Sequence, residues 1–273
     1  MFIDTHCHLT YDSEHVYDDN IGVIINRANV AGVESMICAT ADPYDFDKAL
    51  EIAQLHRNIF VTIGIHPDYI NKFKPDEYKN INISKYLTDT ILANQYVVGI
   101  GEIGLDYHFM SPQEYYYNEK RNAQIQLFES QLAIADKHNL PIAIHTRDAD
   151  ADTITTLNKY PNVCGVMHCF TSSWDLAKTM LNRGFYFSAS GILTFKNAES
   201  IRETFAKIPL DKIVIETDSP YCAPVPYRGK VCEPAFVVET AKVLAQIKNI
   251  ELSELESILL QNTKKLYPKI LLS

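Results

Sequence analysis

The sequence lacks several patterns by which common protein classes are recognised. No two of its six cysteines have the Cys-x-x-Cys spacing of a structural zinc site or a redox motif. No apolar run approaches the ~18 residues that cross a bilayer, and residues 1–6 lack the basic and apolar regions of a signal peptide. We therefore expect a cytoplasmic protein with reduced thiols and no membrane contact.

Basic charge is also scarce. The 273 residues contain 25 Lys and Arg against 34 Asp and Glu, which gives a formal net charge of −9. This balance argues against a broad basic face for nucleic acid, although a few local cations could still bind phosphate. No Pro-, Gly- or Ser-rich linker divides the chain, so we expect one domain over residues 1–273.

Eight short apolar or β-branched runs are predicted as β-strands. Several of them lack polar alternation, as expected of parallel strands that are buried on both faces. They lie at residues 2–4, 35–39, 60–65, 97–100, 142–144, 163–167, 185–188 and 213–216. Connections of helix length separate them, and Ser253 to Glu256 resembles a capping box at the start of a C-terminal helix. This order favours a (β/α)8 TIM barrel, with a doubly wound open sheet as the alternative.

The first predicted strand is followed directly by His6-Cys7-His8. Residues i and i+2 of an extended chain face the same side, so both imidazoles can reach one metal ion. Cys7, and Cys169 after the sixth strand, should then face the other side and pack in the core. Nine histidines in 273 residues give roughly 0.3 such matches by chance, so two unrelated polar residues at a strand end remain an alternative.

Four further ligand-type residues end predicted strands: Glu102 the fourth, His145 the fifth, His168 the sixth and Asp218 the eighth. The carboxyl ends of barrel strands converge on one mouth. Six nitrogen and oxygen ligands exceed the needs of one tetrahedral zinc ion and suit two divalent ions about 3.5–4 Å apart with a bridging carboxylate. The sequence therefore predicts a metal-dependent hydrolase of a phosphate ester or an acyl bond.

At this point the sequence resembles the TatD-like metal-dependent deoxyribonucleases along nearly its whole length. The motifs that carry the resemblance are, in chain order, Asp4-Thr5-His6-Cys7-His8-Leu9, Gly64-Ile65-His66-Pro67, Gly101-Glu102-Ile103-Gly104-Leu105-Asp106-Tyr107, His145-Thr146-Arg147-Asp148-Ala149, His168-Cys169-Phe170, Ser190-Gly191-Ile192 and Glu216-Thr217-Asp218-Ser219-Pro220. The chain departs from the usual family pattern at Cys232, where an Asn commonly precedes Glu-Pro, so the rim could differ there.

The resemblance implies a TIM barrel with two metal ions. One ion is held by His6, His8, Glu102 and Asp218, and the other by Glu102, His145 and His168. It also implies magnesium-supported removal of nucleotides from DNA ends, usually 3′ to 5′ on single strands. Four histidines suit Zn²⁺, Mn²⁺, Co²⁺ or Ni²⁺ better than Mg²⁺, so we expect Mg²⁺ to support activity and a transition metal to be plausible as the bound ion.

Three residues are candidates for catalysis. Glu102 should fix the metal pair, while Asp218 ligates a metal and could accept a proton from the attacking water. His66 ends the third predicted strand and could bind the scissile phosphate or protonate the leaving oxygen, or it could only hydrogen-bond a neighbour.

Candidate substrate residues are the cations nearest these motifs. Arg147 could grip phosphate, or it could pair with Asp148 or Asp150. Arg228 and Lys230 follow a proline-rich loop after the eighth strand and could bind a polyanion. Asp106 and Tyr107 could orient a metal ligand or only close a loop, and Tyr115 to Tyr117 could stack on bases or pack over the barrel. His15, His56, His108 and His138 receive no role.

Other functions stay open at this stage. Barrel hydrolases of amides or lactones commonly bridge their metals with a carboxylated lysine, whereas the fourth strand here contains Glu102 and no lysine. An aminoacyl-tRNA deacylase built on the same ligands is harder to separate from a nuclease. A non-catalytic binding protein would be expected to lose ligands, and all six are present. We expect DNA as the substrate partner and no obligate protein partner.

Overall fold

The computed structural model describes residues 1–11 and 20–272, so His15 lies outside the described residues. Strands and helices alternate along the chain. The strands are β1 Phe2–Cys7, β2 Val33–Ala39, β3 Ile59–Thr62, β4 Val97–Asp106, β5 Ile142–Arg147, β6 Gly165–Met167, β7 Tyr186–Ala189 and β8 Ile213–Ile215. The helices are α1 Ile21–Val30, α2 Phe46–Leu55, α3 Asp89–Leu92, α4 Tyr117–His138, α5 Asp150–Leu157, α6 Trp174–Asn182, α7 Glu199–Lys207, α8 Val237–Lys248 and α9 Leu252–Leu266.

The eight strands form one sheet in the order β1 to β8, and each strand pairs in parallel with the next. Backbone hydrogen bonds join the two ends of the sheet. The N–H of Asp218 donates to the carbonyl of His6 at 2.9 Å, and the N–H of His8 donates to the carbonyl of Ser219 at 2.7 Å. The (β/α)8 prediction is thus confirmed, while its extent over residues 1–273 stays a prediction.

One hydrophobic cluster fills the barrel interior. It contains one residue from each of seven strands together with three from the C-terminal segment, namely Ile3, Ile37, Phe60, Val98, Ala143, Val166, Val214, Leu266, Tyr267 and Ile270. Side chains from so many strands can meet only inside the barrel. Lys269 donates to the carbonyl of Val97, the first residue of β4, at 2.8 Å. The C-terminal segment therefore plugs the amino-terminal end and leaves the opposite mouth for the site.

Two strands carry an extra residue where the chemistry-bearing side chains lie. Between Asp4 and Cys7 the pairing of β1 with β2 shifts by one residue, and the same shift separates Ile100 and Ile103 in the pairing of β4 with β5. Such β-bulges interrupt the alternation of side chains and turn one of them toward a new direction. His6 falls within the first bulge and Glu102 within the second.

Several predicted boundaries are wrong. β4 continues six residues beyond Ile100 and includes Glu102, because its glycines let β5 approach. The spacing Gly-x-Gly-x-x-Gly occurs at residues 99–104, but this stretch lies inside β4, and the next helix begins only at Tyr117, so it is not the phosphate-binding turn of a dinucleotide fold. Helix α9 begins at Leu252 with Glu251 as its N-cap, which excludes the predicted capping box. None of the helices in the described ranges is long and apolar enough to cross a bilayer.

Candidate metal centre

The six predicted ligands come together at the carboxyl-end mouth of the barrel. His6, Glu102 and His145 lie within β1, β4 and β5 rather than beyond their ends, whereas His8, His168 and Asp218 follow β1, β6 and β8. His6, His8, Glu102 and His168 are buried, and His145 and Asp218 are partly exposed. The structure therefore brings the six predicted residues together, but on strands whose bounds differ from the predicted ones.

The two carboxylate oxygens of Glu102 face different histidines. Oε2 lies 3.5 Å from His6 Nε2 and 3.6 Å from His8 Nε2. Oε1 lies 2.9 Å from His145 Nδ1 and 3.3 Å from His168 Nε2. Glu102 thus occupies the position between two groups of donors that a bridging ligand requires.

Asp218 completes the first group. Its Oδ1 lies 3.5 Å from His8 Nε2 and 3.9 Å from His6 Nε2. Candidate donors cluster in overlapping sets, among them His6 with His168 and Glu216, and His66 with Asp106 and His145. Two of the sets are His6, His8 and Asp218 on one side and Glu102, His145 and His168 on the other. This grouping agrees with the division that the resemblance implies.

The distances between donors suit metal coordination better than hydrogen bonding. Two ligand atoms about 2.1 Å from one tetrahedral ion lie about 3.4 Å from each other, close to most of the separations around Glu102 and Asp218. Within the described part of the chain, neither ring nitrogen of the buried His6 has a hydrogen-bond partner. A buried imidazole without a partner is costly unless a ligand satisfies it. The residues present therefore fit divalent ions, and the donor set is rich in nitrogen.

A second layer of groups lies against the other ring nitrogens of three of these imidazoles. Glu216, fully buried, places Oε1 2.9 Å from His168 Nδ1, and Asp106 places Oδ2 2.9 Å from His145 Nε2. His8 Nδ1 lies 3.1 Å from the carbonyl oxygen of Ala39. Partners of this kind fix the ring orientation and raise the basicity of a metal-binding histidine. Asp106 thus touches a candidate ligand, whereas Tyr107 does not and instead donates to Asp152 on α5.

Sequence reasoning included Glu216 in a motif but gave it no role. A signal was available, because Glu216 stands two residues before Asp218 and extended residues i and i+2 share a face. Asp4, also part of a motif, was given no role either. It accepts hydrogen bonds from the backbone and hydroxyl of Thr217 at 2.9 and 2.5 Å and thereby ties β1 to the segment that carries Asp218.

The electrostatics keep both acids of the site ionised. Burial alone would raise the pKa of Glu102, but the surrounding histidines, chiefly His66 and His168, hold it well below its usual value. Burial would likewise raise the pKa of Asp218, but the hydrogen bond with His8 and the nearby imidazoles outweigh burial and lower this pKa. Ionised carboxylates are the form that binds cations.

His66 does not belong to either group of donors. It caps the 3-10 segment Pro67–Lys72, where its Nδ1 accepts a hydrogen bond from the N–H of Asp68 at 3.1 Å, while Nε2 lies 3.6 Å from Glu102 Oε1. Burial lowers the pKa of His66 to about 4. A neutral imidazole whose Nδ1 accepts must carry its proton on Nε2. His66 is therefore arranged to donate a hydrogen bond into the site.

The predicted substrate cations lie on the exposed rim. Arg147 packs its guanidinium over the ring of Phe109 at 5.3 Å, and Arg228 lies over Phe195 at 3.8 Å. Lys230 lies 5.8 Å from the centre of the Tyr227 ring. The predicted alternative partners of Arg147 are engaged elsewhere: Asp148 contacts His108 at 2.8 Å, and Asp150 accepts from Ser172 at 2.5 Å.

Two tyrosines lie beside the candidate ligand His8. Tyr221 is half exposed, and its ring lies 6.3 Å from His8 and 5.8 Å from Tyr11, which itself lies 5.3 Å from His8. Tyr115 and Tyr116 are exposed and contact each other, so the predicted packing of this pair over the barrel is not what the structure has.

The cysteines depart from expectation in two places. Cys7 is fully buried in the core, as predicted. Cys169, in contrast, does not pack in the core as predicted. Because β6 ends at Met167 and φ of Cys169 is 40°, strand alternation does not apply to this residue, and its thiol lies beside Asp218 and Cys222. Cys232 is fully buried and therefore does not alter the exposed rim.

Comparison with known proteins agrees with this geometry. The sequence profile of the family described as TatD related DNase matches residues 3–268. YabD of Bacillus subtilis (strain 168), described as an uncharacterized metal-dependent hydrolase, is 37% identical over 271 residues, which are 98% of this chain and 99% of YabD. The chain belongs to the TatD family. YcfH of Escherichia coli (strain K12), with the same description, is 34% identical over 270 residues that cover 98% of this chain and 96% of YcfH.

Solved structures extend the likeness to three dimensions. YjjV, a TatD homolog from Escherichia coli K12, has a TM-score of 0.83 at 25% identity and covers 98% of both chains. A TatD family hydrolase from Entamoeba histolytica has a TM-score of 0.79 at 25% identity and covers 97% of both chains. The protein is thus a metal-dependent hydrolase of the TatD family with the barrel of its relatives.

Metal affinity of this TatD-family hydrolase should rise steeply with pH. Burial lowers the pKa of His145, but Asp106 and Glu102 more than compensate and raise it to about 9. A proton must therefore leave His145 before Nδ1 can bind a metal. Despite burial, the pKa of His168 is also held well above its usual value, by Glu216 and Glu102, so this ligand must lose a proton as well. We therefore expect affinity at the Glu102–His145–His168 group to increase by at least about tenfold per pH unit up to about pH 9. Calorimetry in buffers of different ionisation enthalpy would count the released protons.

The stability of the metal-free protein should change with pH in the opposite direction. Because the folded pKa of His145 is raised, its protonated form stabilises the fold below the unfolded value near 6.5, and this contribution is lost as pH rises through 9. His108→Ala, which changes a histidine paired with Asp148, should leave both profiles unaltered. A pH-independent affinity would show that His145 is already neutral when the metal arrives.

Proposed function

We propose that this TatD-family hydrolase is a deoxyribonuclease that removes nucleotides 3′ to 5′ from single-stranded DNA with two divalent ions. The observation that carries the proposal is the position of Glu102, whose two oxygens face separate groups of donors. The match to the profile described as TatD related DNase supports the substrate class. We further propose a cytoplasmic location, which fractionation of cells would check.

Two divalent ions bound to these groups would acidify a water molecule and neutralise charge on the scissile phosphate. The chain itself supplies the remaining steps. Asp218 places Oδ1 beside His6 and His8, and its second oxygen, Oδ2, accepts only a long contact from the Cys222 thiol at 3.6 Å, so this carboxylate can accept the proton of the attacking water. His66 donates from Nε2 to a phosphate oxygen and so orients the bond that breaks.

The rim side chains support a single-stranded substrate. Single strands are gripped by aromatic surfaces on which bases stack and by arginines that bind phosphate. Phe109 is 78% exposed and Tyr221 50% exposed, values that a core-packing role does not explain. Arg147 and Arg228 each lie over a ring at this rim. A protein with a net charge of −9 needs such local cations, because its general field repels DNA.

Removing a rim cation should weaken substrate binding more than it slows turnover. We expect Arg147→Ala, Arg228→Ala and Lys230→Ala to raise KM for oligonucleotides by up to about tenfold, since a charged contact contributes about 1.5 kcal/mol. Each lost phosphate contact should also flatten the salt dependence by a slope of about 0.7. Steady-state kinetics across a salt series would measure both.

Lys265→Ala is the matched control, because Lys265 lies in the last turn of α9 next to the segment that plugs the opposite end of the barrel. Its KM and salt slope should stay at the wild-type values. If the rim variants lose kcat at unchanged KM, these cations stabilise the transition state. If neither parameter moves, the rim does not bind substrate.

One assay separates the proposed function from its rivals. Metal-reconstituted protein is incubated with single-stranded DNA labelled at either end, with RNA of the same sequence, and with aminoacyl-tRNA. Mononucleotides released progressively from the 3′ end of DNA would support the proposal. Release of free amino acid without nucleotide products would instead identify an aminoacyl-tRNA deacylase, and internal cuts would identify an endonuclease. Asp218→Asn, prepared in parallel, guards against a contaminating nuclease.

A further inference from the structure

Two cysteines meet beside the candidate metal centre without belonging to it. Cys169 directly follows His168, and Cys222 lies four residues after Asp218. The two Sγ atoms and a carboxylate oxygen of Asp218 all lie within 4.8 Å of one another. Both cysteines are partly exposed, so small reagents can reach them.

Each thiol now contacts a different oxygen. Cys222 Sγ donates to Asp218 Oδ2 at 3.6 Å, and Cys169 Sγ donates to Ser190 Oγ at 3.2 Å. The φ angles of Cys169, Asp218 and Cys222 are 40°, 59° and 55°, a region that residues other than glycine rarely adopt. Such conformations persist where the surroundings enforce them, and they cluster at functional sites.

The remaining cysteines are placed differently. Cys7, Cys38 and Cys232 are fully buried, and Cys164 is exposed at the surface. Cys7 and Cys38 are neighbours in the pairing of β1 with β2, but both lie in the core, where an oxidant has no access. Only the pair at the mouth combines proximity with exposure.

We propose that Cys169 and Cys222 form a reversible disulfide on exposure to a peroxide, and that this bond withdraws His168 and Asp218 from the metal centre. A disulfide holds its sulfurs at about 2.05 Å. Because the two Sγ atoms are already within 4.8 Å, rotation of the side chains with a small loop movement brings them together.

The chemistry balances with one peroxide molecule. Cys222 Sγ attacks a peroxide oxygen, the O–O bond breaks, and a sulfenic acid and one water form. Cys169 Sγ then attacks the sulfenic sulfur, and the second water leaves with the proton of the Cys169 thiol. Two thiols are oxidised by two electrons, and the peroxide is reduced to two waters. A thiol reductant reverses the step by exchange.

The bond would act on both groups of metal donors. It removes the hydrogen bond from Cys222 to Asp218 and pulls on the residue next to His168. The backbone N–H of Cys169 donates to Glu216 Oε1 at 2.7 Å, and this carboxylate oxygen contacts His168, so the movement reaches a second partner of the same ligand. Disturbing groups that orient metal ligands lowers metal affinity by about 10- to 100-fold.

Peptide mapping tests the bond without relying on any enzymatic activity. Metal-loaded protein is treated with hydrogen peroxide, the free thiols are alkylated, and the digest is analysed by mass spectrometry. We expect a linked peptide pair that contains Cys169 and Cys222, a mass loss of about 2 Da, and reversal by dithiothreitol. Bound metal, measured by elemental analysis after gel filtration, should fall in the oxidised protein and return on reduction and reloading.

Variants make the test specific. Cys222→Ser should abolish the linked peptide and the peroxide-dependent metal loss, whereas Cys164→Ser should leave both intact. The proposal is overturned if Cys169 and Cys222 stay free while other cysteines oxidise, if the link joins Cys7 to Cys38, or if the bond forms without metal loss. Protection of both thiols by Zn²⁺ that a chelator relieves would identify a thiolate metal site instead and also overturn it.

Discussion

Glu102→Gln should reduce turnover by at least about 10³-fold and release bound metal. The carboxamide keeps the shape of the side chain but has one acceptor oxygen, so an N–H₂ group would face one of the two groups of histidine nitrogens. The charge that attracts cations is lost among five imidazoles. Metal ions contribute several kcal/mol of charge stabilisation, and about 4 kcal/mol corresponds to 10³ in rate. Initial rates and elemental analysis measure the two effects.

The fold should survive this substitution, because the stability of a barrel resides in its core rather than at its mouth. Circular dichroism should therefore match the wild type. Glu129→Gln is the matched control, because it makes the same chemical change in a glutamate of α4 that pairs with Lys159 at the surface. Loss of this surface ion pair should change the rate of turnover by less than about twofold. Full activity of Glu102→Gln at unchanged metal content would refute the bridging position.

Gly104→Ala should destabilise the protein by more than about 4 kcal/mol, a loss comparable to the whole stability of many domains. Gly104 has φ of 143°, and a Cβ placed there would lie 1.9 Å from the carbonyl oxygen of His145. That oxygen belongs to backbone in the β4–β5 pairing and cannot rotate away. Chemical denaturation would report the loss. The surviving folded fraction should also bind metal less tightly, because β4 and β5 hold Glu102 and His145.

Gly184→Ala separates the two causes in this prediction. Gly184 also has positive φ, 83°, but nothing lies within 4 Å of a Cβ built there. Gly184→Ala should lower the free energy of unfolding only by the conformational penalty, about 1 kcal/mol. Equal losses for the two variants would show that backbone conformation, and not the clash with β5, limits the approach of the strands.

Local sequence determined the barrel and pointed to the six candidate ligands that the structure brings together. Parallel strands buried on both faces produce runs without alternation, and these runs located all eight strands. Ligand-type residues were recognisable because each follows or ends such a run, and in a parallel barrel all those positions meet. The boundaries were less predictable where glycines mimic a turn: residues 99–104 looked like a strand end, yet they pair with β5. Glycine in a sequence does not reveal whether it bends the chain or admits a neighbour.

The tertiary structure alone decided how the ligands are aimed and supported. Alternation along β1 cannot say which face His6 takes, because the bulge between Asp4 and Cys7 depends on how β1 pairs with β2. Glu216 and Asp106 became partners of His168 and His145 only when strands distant in sequence were placed side by side. The same holds for Cys169 and Cys222, whose meeting depends on three left-handed residues, one after β6 and two after β8. Sequence fixes which groups a strand carries, whereas register and bulges, set by contacts between strands, fix where those groups point.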